Sequence, residues 1–277
     1  MALSPLAACS PQTALNLLTP ASGYRLDAGL RYGPEPDHVV DVYTPAAVPD
    51  AATAIVFLHG GRWSYGSRRD YKFVAGSLTA RGFVVAIPDY RKYPLVRFPT
   101  FVEDAALAVA WLRSTAADHG ADPSRIVVVG HSAGAHIAAM LATDDRYLEA
   151  HGLTPRALAG MVGMAGPYDF LPLTDDDLRD MFGPEEQWPE SQPVEFVDGD
   201  EPPMLLLHGL RDRSVHPRNS RRLARRVREA GGSAEVRTYE RLDHLRIVGA
   251  LAGSLTWLGP VLDDLAEFAG RVGAPHR

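Results

Sequence analysis

Short runs of apolar, mostly β-branched residues recur from residue 39 onward, separated by longer segments of helical character. Such runs are typical of strands buried within a sheet. They predict seven strands, at residues 39–43, 54–58, 83–87, 125–129, 158–164, 204–207 and 234–239. The segments between them predict helices at about 71–81, 100–119, 135–142, 218–228 and 255–268. In the second helix, Phe101, Ala105, Ala108 and Leu112 are spaced to share one apolar face.

This alternation of strands and helices defines the expected fold class. It is α/β, with a mostly parallel central sheet and helices on both of its faces. In folds of this kind, ligands bind beyond the carboxyl ends of the strands. A chain of 277 residues is long enough for one such domain with a well-buried core, and we assign residues 36–277 to it.

Two segments depart from the alternating pattern. Residues 1–35 are rich in Pro, Ala and Gly, and they predict an N-terminal arm rather than a domain. Residues from about 166 to 202 are acidic and Pro-rich, with short helical pieces such as 175–181. We interpret this second segment as a small lid that is inserted over the site.

Composition and charge exclude several classes of partner. Apolar residues make up 46% of the chain and the net charge is only −6, as in an ordinary globular protein. The arginine-rich stretch 218–228 carries Leu223, Ala224 and Val227 at helical spacing, which predicts a solvated helix face and no nucleic-acid partner. No stretch of the sequence is long and apolar enough to predict a transmembrane segment.

The single cysteine, Cys9, rules out a disulfide within the chain. Its surroundings, Leu6-Ala7-Ala8-Cys9-Ser10, resemble the cleavage box of a bacterial lipoprotein, in which the cysteine becomes lipidated. Eight preceding residues without a positive region are too few for a signal peptide. Either the true start lies upstream, or the precursor is truncated, or the match is chance. A genuine box would place the protein in the cell envelope, the periplasm or outside the cell; otherwise we expect it in the cytoplasm.

The most informative motif is Gly130-His131-Ser132-Ala133-Gly134. It follows the β-branched run at 125–129 and precedes a segment rich in helix formers. A G-x-S-x-G pattern between a strand and a helix is typical of a nucleophile elbow, a sharp turn that exposes the serine hydroxyl. We therefore predict that Ser132 is a catalytic nucleophile.

A serine hydroxyl needs a base to remove its proton, and that base needs a carboxylate to orient it. Asp212 follows the strand at 204–207 and is our candidate acid, with Asp243 and Glu240 as competitors. His244 follows the last strand and is our candidate base among ten histidines. His216 is its rival, although it lies on the same loop as Asp212.

The segment His59-Gly60-Gly61-Arg62-Trp63 is the candidate oxyanion hole. Backbone N–H groups of Gly60, Gly61 or Arg62 would bind the oxyanion, with Gly61 and Arg62 favoured, and the Ala133 N–H would be the further donor. The alternative is a Gly-rich turn without such a role. The sequence lacks a phosphate-binding loop, and no spacing of histidines and carboxylates predicts a metal site.

Aromatic residues near these motifs are candidates for an acyl or aryl pocket. The alternative for each of them is packing in the core or in the lid. The candidate substrate contacts are Trp63, Tyr65, Tyr168, Phe170 and Trp188.

Taken together, these motifs resemble the α/β-hydrolase superfamily over about residues 41–268. More narrowly, they are similar to carboxylesterases related to hormone-sensitive lipase, to the feruloyl-esterase-like group and to kynurenine formamidase. The matching stretches are His59-Gly60-Gly61-Arg62-Trp63, Pro88-Asp89-Tyr90-Arg91, Glu103-Asp104 and Gly130–His136. The chain order of Ser132, Asp212 and His244 is also the order expected of this superfamily. Arg62 departs from the HGGG form of the loop, because its side chain stands where that form has a glycine.

The resemblance implies a serine carboxylesterase that hydrolyses a small ester through an acyl-enzyme on Ser132 and requires no cofactor. We expect a short-chain or aromatic ester as substrate. Hydrolysis of an aryl-formamide is the second hypothesis, and acyl transfer to an alcohol is a third. A binding protein without activity also remains possible on this fold, although an intact set of catalytic residues argues against it. The sequence carries no signal from which an oligomeric state can be predicted.

Overall fold

The structure is a computed structural model that describes residues 15–17, 19 and 22–274. Its strands, in chain order, are Tyr24–Arg31 (β1), Val39–Pro45 (β2), Ala52–Leu58 (β3), Val84–Pro88 (β4), Ala121–His131 (β5), Gly160–Met164 (β6), Met204–Gly209 (β7) and Ala234–Tyr239 (β8). They form one sheet in the order β1-β2-β4-β3-β5-β6-β7-β8. The β1–β2 and β2–β4 pairs are antiparallel and the other pairs are parallel. The predicted mostly parallel sheet is therefore confirmed.

Helices connect the strands and cover the sheet. The α-helices are Lys72–Thr79 (α1), Thr100–Thr115 (α2), Ala133–Thr143 (α3), Asp145–Glu149 (α4), Asp176–Phe182 (α5), Arg218–Glu229 (α6), His244–Gly249 (α7) and Val261–Val272 (α8). Shorter 3-10 helices are Arg68–Tyr71, Ala116–His119, Pro155–Ala157, Glu185–Ser191, Pro193–Glu195 and Gly253–Leu258.

The central strands bury side chains on both faces of the sheet. In β3, Val56 and Leu58 belong to one apolar cluster, which includes residues of α2, α3 and α6. Ile55 and Phe57 belong to the other cluster, which includes residues of α1, α7 and α8. Successive side chains of a strand point to opposite faces, so two clusters along one strand indicate helices on both sides. The predicted apolar face of α2 is buried in the first cluster.

The N-terminal boundary differs from the prediction. Tyr24–Arg31, within the expected arm, forms the edge strand β1, so the arm interpretation is wrong for these residues. The side chains of β1 are mostly exposed or half-buried, and the strand is held by backbone pairing with β2. Such an edge strand carries little apolar signal in its sequence. Cys9 and the proposed cleavage box lie outside the described residues.

Two helical segments also differ from what the sequence predicts. The helix expected at 255–268 is divided into the 3-10 helix Gly253–Leu258 and α8, with Gly259 and Pro260 between them. Proline disfavours the helical conformation at the residue before it, which explains the break. The short helix α4 was not predicted at all. Among the described residues, none of the helices has the length and apolarity to cross a membrane.

Candidate active site

Ser132 lies at the turn between β5 and α3, in a backbone conformation that non-glycine residues rarely adopt (φ 54°, ψ −120°). The turn is tight because other backbone segments pass close to both flanking glycines. A Cβ atom on Gly130 would lie 2.2 Å from the Gly134 carbonyl oxygen, and one on Gly134 would lie 2.0 Å from that of Leu58. The sequence motif thus forms the strand–turn–helix geometry expected of a nucleophile elbow.

The three predicted triad residues are in direct contact. The Ser132 hydroxyl donates to His244 Nε2 at 2.8 Å. The Nδ1–H of His244 donates to Asp212 Oδ2, also at 2.8 Å. An ionised carboxylate only accepts hydrogen bonds, so the Nδ1 proton stays on His244 and leaves Nε2 free to accept from the serine. This is the order of contacts that serine activation requires.

Asp212 is held as a buried anion. Burial alone would raise the pKa of this carboxyl, but hydrogen bonds involving His208, His244 and the Val215 N–H hold the pKa well below its usual value. Its Oδ1 accepts from the backbone N–H groups of Ser214 and Val215, each at 2.9 Å. Asp212 therefore remains ionised and fixes the ring of His244 throughout the neutral range.

The competing residues lie outside this hydrogen-bonded series. The Asp243 carboxylate caps α7 by accepting from the N–H groups of Leu245 (3.1 Å) and Arg246 (2.9 Å). Glu240 and His216 are exposed, and His216 Nδ1 accepts from the Arg218 N–H at 3.0 Å. His244, expected in a loop, is instead the first residue of α7, because the Asp243 cap begins a helix there.

His131 makes a contact that the sequence did not indicate. Its Nε2–H donates to the backbone carbonyl of His244 at 2.8 Å, and the two rings lie 5.0 Å apart. Burial lowers the pKa of His131 to about 3, so the ring is neutral and its Nε2 carries a proton for this bond. The second residue of the elbow motif, His131, thus supports the base that acts on Ser132.

The predicted oxyanion loop lies against Ser132. A Cβ atom on Gly60 would lie 3.2 Å from Ser132 Cβ, and Gly61 has φ 133°. Arg62 and Trp63 also have positive φ values, of 50° and 55°, which is unusual for residues with side chains. Within the part of the chain that the structure describes, the backbone N–H groups of Gly61, Arg62 and Ala133 bond to no acceptor. An oxyanion hole requires backbone donors that are unpaired in this way.

The Arg62 side chain connects this loop to the segment of about residues 166–202 that was interpreted from its sequence as a lid. Its guanidinium bonds to both oxygens of Asp177, at 2.8 and 3.1 Å, and to Asp175 at 2.7 Å. Hydrogen bonds to Asp177 and Asp175 raise the pKa of Arg62. All three side chains are 40–51% exposed, so this ion pair orients the loop more than it stabilises the fold.

A cavity of about 340 Å³ opens beside Ser132 and His244. We call it the acyl cavity, after the acyl or aryl pocket predicted from the sequence. Of the predicted substrate contacts, Trp63, Tyr65 and Phe170 line it. Lid residues complete its apolar wall, namely Pro167, Pro172, Leu173 and Leu178.

The prediction is wrong for Tyr168 and Trp188, which do not line the acyl cavity. Tyr168 is fully buried, with its hydroxyl against Gly163 and Gly166. Trp188 is buried in the lid, where its indole N–H donates to the Gly183 carbonyl at 2.9 Å. The sequence alone does not distinguish an aromatic residue that packs in the lid from one that lines a pocket. Only the contacts of each ring show which it is.

An open groove adjoins the acyl cavity at His244. It shares Ser214 and His244 with the acyl cavity and is lined further by Leu210, Arg211, Arg213, Leu245 and Arg246. Within the described residues, no group of three or more His, Cys, Asp or Glu side chains is arranged to hold a metal ion.

Comparisons with known proteins agree with this geometry. The BD-FAE family model matches residues 40–227. Esterase LipC of Mycobacterium tuberculosis is 28% identical over 266 residues, which cover 87% of this chain and 64% of that protein. The probable isoprenylcysteine alpha-carbonyl methylesterase ICMEL1 of Arabidopsis thaliana is 27% identical, over 77% of this chain and 49% of that protein. The chain thus spans between about half and two thirds of the length of these relatives.

Solved structures match over almost the whole chain. The propionate-bound esterase Est2 of Thermogutta terrifontis has a TM-score of 0.74 and 27% identity, over 92% of this chain and 97% of that one. A truncated carbohydrate esterase from gut microbiota has a TM-score of 0.79 at 21% identity, over 92% and 98% of the two chains, and it supports the fold alone. With the family model covering most of its length, this chain belongs to the BD-FAE family and has the α/β-hydrolase fold.

Proposed function

We propose that this protein is a serine carboxylesterase that hydrolyses short-chain or aromatic esters through an acyl-enzyme on Ser132. The observation that carries the proposal is the continuous hydrogen-bonded series Ser132–His244–Asp212 at the end of an acyl cavity. Esterase names among the relatives support the same reaction class.

In the acylation step, the Ser132 oxygen attacks the ester carbonyl carbon while its proton passes to His244 Nε2. The carbonyl oxygen becomes an oxyanion, and the free N–H groups of Gly61, Arg62 and Ala133 are its donors. His244 then gives the proton to the leaving alcohol as the carbon–oxygen bond breaks. Asp212 stabilises the imidazolium while it exists.

Deacylation repeats these transfers with water. His244 Nε2 takes a proton from water as its oxygen attacks the acyl carbon, and the Ser132 oxygen leaves with that proton. The carboxylic acid is released and Ser132 regains its hydroxyl. In each step the proton that His244 accepts is returned to the leaving group. The triad, the oxyanion donors and water therefore account for the whole reaction.

The shape of the site supports the proposed substrate class. The acyl cavity holds about 340 Å³, at the small end of ligand pockets, and its lining combines apolar side chains with polar ones. Esterase Est2 of Thermogutta terrifontis binds propionate and butyrate, which are short acids.

The test is hydrolysis of p-nitrophenyl acetate, butyrate and octanoate alongside N-formylkynurenine. Ser132→Ala is compared with Ser254→Ala, which alters an exposed serine that does not line the acyl cavity. We expect ester turnover in the wild type and in Ser254→Ala, and its loss in Ser132→Ala. Turnover retained by a folded Ser132→Ala would overturn the proposal, and formamide turnover far above that of all esters would change the substrate class.

The covalent step has a separate test. A p-nitrophenyl alkylphosphonate transfers its phosphonyl group to an activated serine and releases one equivalent of p-nitrophenol. Mass spectrometry of the digested protein should then find the adduct on the peptide that contains Ser132. An adduct elsewhere in an inactivated enzyme would contradict the assignment of the nucleophile.

A further inference from the structure

A second cavity, of about 350 Å³, lies close to the acyl cavity and opens elsewhere on the surface. Phe98, Met181 and Phe182 form its apolar lining, and Arg97, Arg146 and Glu190 lie among its polar residues. None of the residues that line it also lines the acyl cavity. The two spaces are therefore separate in this structure.

Three aromatic rings separate these spaces, and we call them the aromatic partition: Trp63, Phe170 and Phe182. Trp63 and Phe170 line the acyl cavity, whereas Phe182 lines the second cavity. The ring of Phe182 meets that of Trp63 edge to face, with centroids 5.0 Å apart, and that of Phe170 at 5.6 Å. These are contact distances between aromatic rings, so no further layer of side chains lies between them.

Trp63 is fixed in the partition by a buried polar connection. Its indole N–H donates to His136 Nδ1 at 3.2 Å, and His136 Nε2–H donates to the Ser191 carbonyl at 2.8 Å. This connection joins the oxyanion loop, α3 and the lid. Because an indole N–H that loses its partner in the interior is costly, Trp63 stays in place.

Phe182 has no such anchor, since its side chain holds only carbon and hydrogen. It lies at the end of α5 in the lid and is 2% exposed. Removing its ring would leave the Trp63–His136 bond and the triad untouched, because Phe182 takes part in neither. It would remove the layer of the partition that faces the second cavity and leave Trp63 and Phe170, whose rings stack with centroids 6.0 Å apart. Phe170, whose ring carries no polar group to anchor it, then turns into the vacated space and opens the partition.

We propose that Phe182 is a specificity-determining residue that limits the length of the acyl chain, and that the second cavity is an extension of the acyl subsite which this ring blocks. The inference rests on the proposed function. It predicts that the wild type prefers acetate and butyrate esters, whose chains fit in the acyl cavity, and that chains of eight carbons meet the partition.

The experiment compares Phe182→Ala with Phe98→Ala, each measured for kcat/KM on p-nitrophenyl acetate and octanoate. Phe98 lines the same second cavity and contacts Phe182 at 5.6 Å, but it has no ring contact with Trp63 or Phe170. We expect the octanoate-to-acetate ratio to rise at least tenfold in Phe182→Ala and to stay within about twofold of the wild type in Phe98→Ala. Phe182→Leu, a smaller truncation, gives the same comparison with less loss of packing if the alanine variant does not fold.

The outcomes separate the two proposals. An unchanged ratio in a folded Phe182 variant, or an equal rise in Phe98→Ala, overturns the role of Phe182. A wild type that already hydrolyses octanoate as efficiently as acetate overturns it as well. A wild type without any Ser132-dependent ester turnover overturns the proposed function instead.

Discussion

The Nε2–H of His131 donates to the backbone carbonyl of His244 at 2.8 Å. The residue that precedes the candidate nucleophile in the chain therefore holds the backbone of the candidate base. Because His244 is also bonded through its ring to Ser132 and Asp212, three contacts fix its position. The elbow contributes both the serine and part of the support for its base.

We expect His131→Leu to lower kcat by up to about tenfold, because one hydrogen bond of about 0.5–1.5 kcal/mol no longer holds the base. KM should change little, since His131 does not line the acyl cavity. His131→Gln retains a donor and should recover part of the loss. Steady-state kinetics on p-nitrophenyl acetate measure both constants, and equal effects of the two variants would contradict a role for this bond.

Asp212→Asn should lower kcat by about 10⁴, the effect expected when the acid of a triad no longer fixes the tautomer of its histidine. Asp243→Asn is the matched control, one residue before the base. That variant keeps a side-chain oxygen that caps α7, so both stability and activity should stay close to those of the wild type. Turnover and thermal unfolding of both variants test the assignment, and the reverse pattern would exchange the roles of the two acids.

Gly61→Ala should lower kcat by about 10²–10³, as does the loss of an oxyanion donor. A Cβ atom there would lie 1.9 Å from the Tyr65 carbonyl oxygen, and φ is 133°, so the loop must move. Gly152→Ala is the control, because φ is 70° there but nothing lies within 4 Å of the added atom. It should cost about 1–2 kcal/mol of stability and no activity. Full turnover by Gly61→Ala would argue against this loop as the oxyanion hole.

The buried His136 should make the fold sensitive to acid. Burial lowers the pKa of His136 from 6.5 to about 4 in the folded protein. Above pH 6.5 the ring is neutral in both states; between pH 6.5 and 4 only the unfolded chain binds the proton, so stability falls as pH falls. The loss reaches about 3 kcal/mol near pH 4, at about 1.4 kcal/mol per pKa unit.

His136→Gln keeps an acceptor and a donor at this position without the titration. Urea unfolding of both proteins at pH 7 and pH 4.5 should show the variant losing less stability than the wild type over this range. Both proteins retain the acid sensitivity of His131, because burial lowers the pKa of that residue to about 3 in each. Equal losses in the two proteins would mean that His136 does not carry this effect.

Much of the site was predictable because its parts are local. Gly130–Gly134 follows a β-branched strand, and only small residues fit where the backbone crosses at Gly130 and Gly134. Asp212 and His244 each follow a strand, and the ends of parallel strands meet at one edge of a sheet. The predictions for β1, for Tyr168 and Trp188, and for the loop at His244 were wrong. The first depends on the pairing of a half-exposed edge strand, the second on burial among distant residues, and the third on a helix cap.

The sequence by itself determined the α/β class, the central strands and the identity of the triad candidates, since each of these follows from local periodicity or from a short motif. Only the tertiary structure decided which aromatic rings face the acyl cavity, that His131 supports His244, and that Phe182 separates two cavities. Those contacts join residues far apart in the chain, and their formation depends on how the lid packs against the oxyanion loop and α3.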